Sequence, residues 1–180
     1  MKTYIALLRG INVGGHKKLP MADLRQLLET TDYMDVKTYI QSGNVVFKSS
    51  ESSTIKIEQS IKNAIMDRFG YDVTVMVKTK QDLQQIFELC PFDEDKKKAS
   101  YFALFKNELN KDLIEVAKQK TYPDEEFEIT DSCIYFYCAN GYGRAKFNLN
   151  YFERLFKSEA TARNYNTMVK LISMAEALEH

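Results

Sequence analysis

The chain has 180 residues, 44% hydrophobic and 12% aromatic, with 25 basic and 25 acidic side chains. That length and apolar content suit one large or two small domains with buried cores, and they exclude a disordered chain. A formal charge of zero argues against a protein held on nucleic acid by electrostatics alone, and no apolar run is long enough to span a membrane.

Residues 3–8 are β-branched or aromatic at the start and apolar throughout, which predicts a short buried strand. A loop with Gly10, Gly14 and Gly15 follows. A first helix is expected from Pro20, whose missing N–H costs nothing in a first helical turn, to about Thr31, with Met21, Leu24, Leu27 and Leu28 on one stripe. Residues 36–41 and 45–48 read as two strands joined by a tight Ser42-Gly43 turn, with Asn44 also tolerant of positive φ. The polar stretch 49–53 supplies an N-cap for a second helix striped by Ile57, Ile61, Ala64, Ile65 and Phe69 and stopped by Gly70. Alternation at Val73, Val75 and Val77 predicts a fourth strand. The order β-α-β-β-α-β is the split arrangement of a ferredoxin-like unit, with all strands antiparallel in the order 4-1-3-2.

Thr79 is placed to cap a third helix that ends before Pro91. Residues 92–99, an acidic run followed by Lys96-Lys97-Lys98, lack periodicity and read as a solvated linker. Beyond it come a strand (101–105), a helix marked by Leu109, Leu113, Val116 and Ala117, and a hairpin of 127–129 with 133–138 around Asp131-Ser132. A flexible turn at 140–143, a short helix with Phe152, Leu155 and Phe156, and a last helix with Tyr165, Met168, Val169 and Ile172 complete a second half read as β-α-β-β-α-α. The expected organisation is therefore an α+β fold: a ferredoxin-like subdomain over 1–78, a helix and linker over 79–99, and a second α+β subdomain over 100–177. The closing Leu178-Glu179-His180 reads as the remnant of a purification tag. Setting it aside removes one acid and one of the two histidines, so the balance moves to +1 and His16 stands alone.

The glycine loop is the first candidate site. Its spacing from Gly10 to Gly15 fits a phosphate loop, but His16-Lys17-Lys18 follow where Lys-Ser or Lys-Thr is needed, and G-x-G-x-x-G is absent. Two readings stand: glycines that permit a strand-to-helix turn, or an anion site of backbone N–H groups, the start of the first helix, Arg9 and Lys17. In the split topology the turn formed by Gln41, Ser42, Gly43 and Asn44 lies at the same end of the sheet, so the two polar loops converge. Thr161 is placed to cap the last helix, with Arg163 and Asn164 in its first turn. A cation there opposes the helix dipole by ~0.3–1 kcal/mol, which points to a partner carboxylate or a bound anion.

Metal and nucleophile readings are weak. Cys133 and Cys138 fall on opposite faces of one strand and cannot jointly chelate. Zinc needs about four ligands, and no metal or cofactor is expected. Three dispersed cysteines and the lack of a signal-peptide pattern fit a reduced, cytoplasmic setting.

The segments Y-I-A-L-L-R-G-I-N-V-G-G, L-P-M-A-D-L-R, T-Y-I-Q-S-G-N-V-V-F and, near the end, T-A-R-N-Y-N-T closely resemble the bacterial domain-of-unknown-function family 1697. The resemblance covers essentially the whole chain, departs from the family pattern at Lys17 and Tyr165, and implies a two-part α+β fold without a mechanism. The expected function is binding of a small anionic ligand (phosphate, nucleotide or carboxylate). Its wall would comprise Arg9, Asn12, Gly14, Gly15, Lys17, Gln41, Ser42 and Asn44, with Arg163 reaching in from the second half. The alternatives are a nucleic-acid-binding module, disfavoured by the charge balance, and a protein–protein module using the Tyr135 and Tyr137 hairpin as its contact surface.

Overall fold

The computed structural model describes residues 1–179, apart from the side chain of Tyr142. The chain divides into two compact units, Met1–Gln84 with the segment from Val169 onward, and Gln85–Met168.

The first unit contains β1 (Lys2–Leu8), α1 (Met21–Glu29), β2 (Met34–Tyr39), β3 (Asn44–Ser49), α2 (Thr54–Phe69) and β4 (Val75–Thr79), followed by the start of α3 (Lys80–Glu88). Its sheet is ordered β2-β3-β1-β4 and is antiparallel throughout, with Ala6 paired to Val45 on one side and Val77 on the other. This is the 4-1-3-2 order of the split unit. Tyr4, Ala6, Leu8, Val45, Phe47 and Val77 face the helices and form one core with Leu24, Leu28, Ile57, Ile61 and Ile65. Ile5, Leu7, Val46 and Met76, of opposite parity, are buried as well. Burial of both faces explains why β1 is apolar without alternation.

Local chemistry sets the ends of these elements. The Ser53 side chain caps α2 by accepting from the Lys56 N–H, and Gly70 closes the helix at φ +70°. Thr79 and Asp82 form a reciprocal cap at the start of α3: the Thr79 hydroxyl accepts from Asp82 N–H at 3.1 Å, and the Asp82 carboxylate accepts from Thr79 N–H at 3.2 Å.

The second unit runs through α4 (Glu94–Lys98), β5 (Ser100–Phe105), α5 (Lys111–Ala117), β6 (Glu125–Ile129), β7 (Cys133–Cys138), α6 (Leu149–Phe156) and β8 (Ala160–Asn164), and α7 (Tyr165–Glu179) begins in it. Its sheet order, β6-β7-β5-β8, repeats that of the first unit. Two sequence expectations need correction here. Residues 160–164 form a strand antiparallel to β5, with Arg163 opposite Phe102, so the second half is also β-α-β-β-α-β before its final helix. The small, β-branched and polar run Ala160-Thr161-Ala162-Arg163-Asn164 lacks a 3.6-residue stripe of its own, and edge pairing decides it. The cap of α7 is Asn164, whose side chain accepts from Thr167 N–H at 2.9 Å, not Thr161.

The lysine run is likewise not a linker. Asp93 caps α4 through Lys96 N–H, Lys96 Nζ donates to both Glu126 oxygens at 2.8 and 2.9 Å, and Lys97 lies 4.2 Å from the Phe87 ring centre. Tyr135 is fully buried, and its hydroxyl donates to Ile86 O at 2.8 Å, so it forms no contact surface. Inside the second core, Phe136, Phe147 and Phe152 stack, with Phe136 and Phe147 centred 4.1 Å apart and nearly parallel at 7°.

Leu178 is buried and Glu179 pairs with Lys80, so the end of α7 is packed. Among the described residues, no helix is long and apolar enough to cross a membrane.

Candidate functional site

The loop after β1 is a small hairpin standing on the end of the sheet. Arg9 N–H donates to Thr74 O at 3.0 Å, which ties the end of β1 to the residue preceding β4. The chain then doubles back: Asn12 N–H donates to Lys17 O at 3.2 Å and His16 N–H to Val13 O at 3.0 Å. Between them Gly14 and Gly15 have φ of +59° and +79°, the signs a primed two-residue turn requires. The glycines therefore make an exposed hairpin tip. Next to them Val13 is 64% exposed and His16 is also open to solvent.

Asn12 binds this hairpin to the neighbouring turn. Its Nδ2 donates to Leu19 O and to Gln41 O, each at 2.8 Å, and its Oδ1 accepts from Leu19 N–H at 2.8 Å. The residue sits at φ +56°, a conformation Asn tolerates better than most residues. Leu8 N–H donates to Gly43 O at 2.8 Å. The loop carrying Arg9, Asn12, Gly14, Gly15 and Lys17 and the turn carrying Gln41 and Ser42 thus meet at one end of the sheet. The turn bends at Ile40 (φ +48°) and Gly43 (φ +81°), not at Asn44. Asn44 is buried, with Nδ2 donating to Tyr39 O and Ser42 Oγ, both at 3.0 Å, so it holds the turn from inside.

Charge at this end is cationic. Arg9, Lys17 and Lys18 lie within ten residues, and the first carboxylate in the chain is Asp23. Lys17 Nζ donates to the main-chain oxygen of Asp72. The Asp72 carboxylate is bonded in turn by Lys62 at 2.7 Å; that hydrogen bond, then the Lys62 charge, hold its pKa below the ordinary value. The cluster offers guanidinium, ammonium and amide donors, which suit holding an anion.

Arg163 lies in the second unit, in β8. It is buried, with one guanidinium nitrogen donating to Thr161 Oγ1 at 2.7 Å and to Ala162 O at 2.9 Å, and burial lowers its pKa to about 10. It precedes the Asn164 cap and so lies before the first turn of α7, not within it as expected from sequence.

Among the clefts elsewhere in the described residues, two are lined by several cations. One of about 940 Å³, at the opposite end of the first sheet, is lined by Lys2, Lys48 and Lys80 among others, but Lys48 meets Asp35 at 2.9 Å and Lys80 meets Glu179, so two of its cations are matched. The other, in the second unit, is lined by residues spread from Lys120 to Leu155, of which the sequence pattern marked only Leu155, as a helix-stripe residue. Among the described residues, no three His, Cys, Asp or Glu side chains group to hold a metal.

Fold and site together define an α+β protein built from two split β-α-β-β-α-β units, one of which carries a cationic glycine hairpin at the end of its sheet. A family model described as protein of unknown function (DUF1697) matches residues 1–135, and the chain belongs to that family. Its structure is similar to that of conserved bacterial protein SP0830 from Streptococcus pneumoniae, with a TM-score of 0.77, 25% sequence identity, and coverage of 96% of this chain and 98% of that one. No curated protein matches the chain.

Proposed function

We propose that this protein binds a small anionic ligand (a phosphate, nucleotide or carboxylate) where the loop after β1 meets the turn between β2 and β3. The observation that carries this reading is the junction itself: Leu8 to Gly43 and Asn12 to Gln41, both at 2.8 Å, put Arg9 and the hairpin beside the Gln41-Ser42 turn. Arg9, the exposed Gly14 and Gly15 backbone, Lys17, Gln41 and Ser42 form the wall. Asn12 and Asn44 act one step back, holding the two loops in place. Arg163 belongs to the other unit. A setting in the cytoplasm goes with this reading, because phosphorylated metabolites are ligands of that compartment.

Thermal-shift screening of nucleotides, phosphorylated metabolites and dicarboxylates, followed by calorimetric titration of any hit, tests the reading. A ligand that raises the melting temperature of the wild type and loses at least tenfold in affinity in Arg9→Ala supports it. A screen in which nothing stabilises the wild type, or a hit whose affinity Arg9→Ala leaves unchanged, rejects it.

A further inference from the structure

We propose that the second unit holds a separate binding cleft for a phosphate-bearing small molecule, between the segment around Lys120 and Tyr122 and helix α6. The cleft measures about 570 Å³, within the range of sites that enclose a metabolite. Lys120, Lys146 and Arg154 line it with Tyr122, Asn148 and Tyr151, and no carboxylate is among its lining residues. In a chain with balanced charge, three cations around one cleft repel one another unless a counter-charge joins them. The carboxylate of Glu125 is directed at the main-chain N–H groups of Lys146 and Phe147, the latter at 2.7 Å, and its single charge leaves the three cations in excess.

A second observation comes from Tyr122. Its hydroxyl is removed from solvent and makes no hydrogen bond, a condition rare for buried polar atoms and one that a ligand oxygen relieves. Burial, the leading influence, raises its pKa, so the phenol keeps its proton and remains a donor. The Asn148 backbone pulls the other way, more weakly than burial. Lys120 lies over both tyrosine rings, 5.7 Å from the centre of Tyr122 and 5.3 Å from that of Tyr151. Its flexible stem can swing the ammonium from the rings to an incoming anion. Three cations with tyrosine and asparagine donors match an anion of more than one charge and several oxygens. A phosphate group has both properties. A single carboxylate has neither.

The floor of the cleft is rigid. Asn148 caps α6, accepting from Asn150 N–H at 3.0 Å, and directly follows Phe147, which is fixed in the aromatic stack. Arg154 is oriented by its own Nε donating to Asn150 O at 3.2 Å.

The test is calorimetric titration of the full chain with sodium pyrophosphate in low salt, with sodium sulfate at equal ionic strength as the reference. The wild type is compared with Lys146→Gln/Arg154→Gln, with Tyr122→Phe, and with a charge-matched control, Lys37→Gln/Lys170→Gln, at exposed positions. Saturable binding that falls at least tenfold in the cleft double variant and severalfold in Tyr122→Phe, with the control within twofold of wild type, is the expected result. No saturable binding to the wild type, or an equal loss in the control, overturns the assignment. Arg9→Ala separates the two sites: it leaves pyrophosphate affinity for this cleft unchanged, whatever it does at the hairpin.

Discussion

Replacing Gly43 by alanine tests the junction on which the hairpin site depends. A Cβ built at Gly43 would stand 2.6 Å from Leu8 Cβ and 3.0 Å from Ile11 Cδ1, and the residue has φ +81°. The Leu8 atom belongs to the base of a side chain on a central strand and cannot rotate away. Left-handed backbone costs a non-glycine residue roughly 1–2 kcal/mol, and forcing an extra methyl into a packed site typically costs about 1–3 kcal/mol. The stiffer unfolded chain returns about 0.4–1 kcal/mol, so a net loss of about 2–4 kcal/mol is expected. Gly14→Ala is the internal control. It has φ +59°, but its nearest neighbour would be His16 Cδ2 at 3.8 Å, so only the backbone strain remains, and a loss of about 0–1 kcal/mol follows. With a urea m-value on the order of 2 kcal/mol/M, Gly43→Ala moves the midpoint down by roughly 1–2 M, and Gly14→Ala by under about 0.5 M. Equal shifts for the two variants, at unchanged m, would refute the close approach of the turn to β1.

Asn12→Ala removes three hydrogen bonds and leaves Leu19 N–H and two carbonyls to find other partners; urea unfolding should show a loss of about 2–3 kcal/mol, with faster amide exchange at Leu19. Glu51 accepts from Ser53 N–H at 2.8 Å, and this hydrogen bond, the largest influence, lowers its pKa below the ordinary 4.5. A depressed carboxylate stabilises the fold above its unfolded pKa, and that contribution disappears as pH falls through the folded value. The acid limb of a melting-temperature profile should therefore be steeper below pH 4.5 in wild type than in Glu51→Gln. Cys90, Cys133 and Cys138 are all buried, and burial, helped by Glu125, pushes the Cys138 thiol up to about 11. None should react with an aromatic disulfide reagent in native buffer at neutral pH, and all three should react in denaturant.

The first unit was legible in its sequence because each element carried a local signal: β-branched alternation, helical stripes, Ser53 and Gly70 at the ends of α2, glycine at the turn. The meeting of the two loops followed from connectivity alone. What could not be read was decided by pairing or by distant partners. The strand β8 has no period of its own and exists because β5 has a free edge. The lysine run becomes α4 because Glu126 and Phe87, far along the chain, receive its side chains. Val116 matched the apolar stripe expected of its helix yet is 51% exposed, since the buried face of α5 runs through Ile114 and Ala117. The glycine loop misled in another way. Its pairing of glycines with basic residues reads alike for an anion cradle and for a primed turn; the bond between Val13 and His16 shows the turn, and the turn leaves the Gly14 and Gly15 backbone exposed. The second-unit cleft left no trace, because its six polar residues come from three segments with no common spacing.

The repeated sheet order has a consequence for the hairpin. In the second unit Phe105 N–H donates to Ser132 O at 2.9 Å and Leu109 N–H to Asp131 O at 2.7 Å. The first occupies the place held in the first unit by Leu8 with Gly43, and the second lies one residue along the turn from that of Asn12 with Gln41. Fastening the loop after the first strand to the turn of the following hairpin is thus a property of this topology, performed once by main chain and once by a side chain. Because an amide side chain makes the second fastening in the first unit, the Asn12 main-chain N–H is released to reach Lys17 and start the excursion. The loop spans residues 9–20 there, against 106–110 in its counterpart. The glycine hairpin is in effect a graft at a seam that is already sealed beneath it, so its tip is free to change length or chemistry while the sheet below keeps its register.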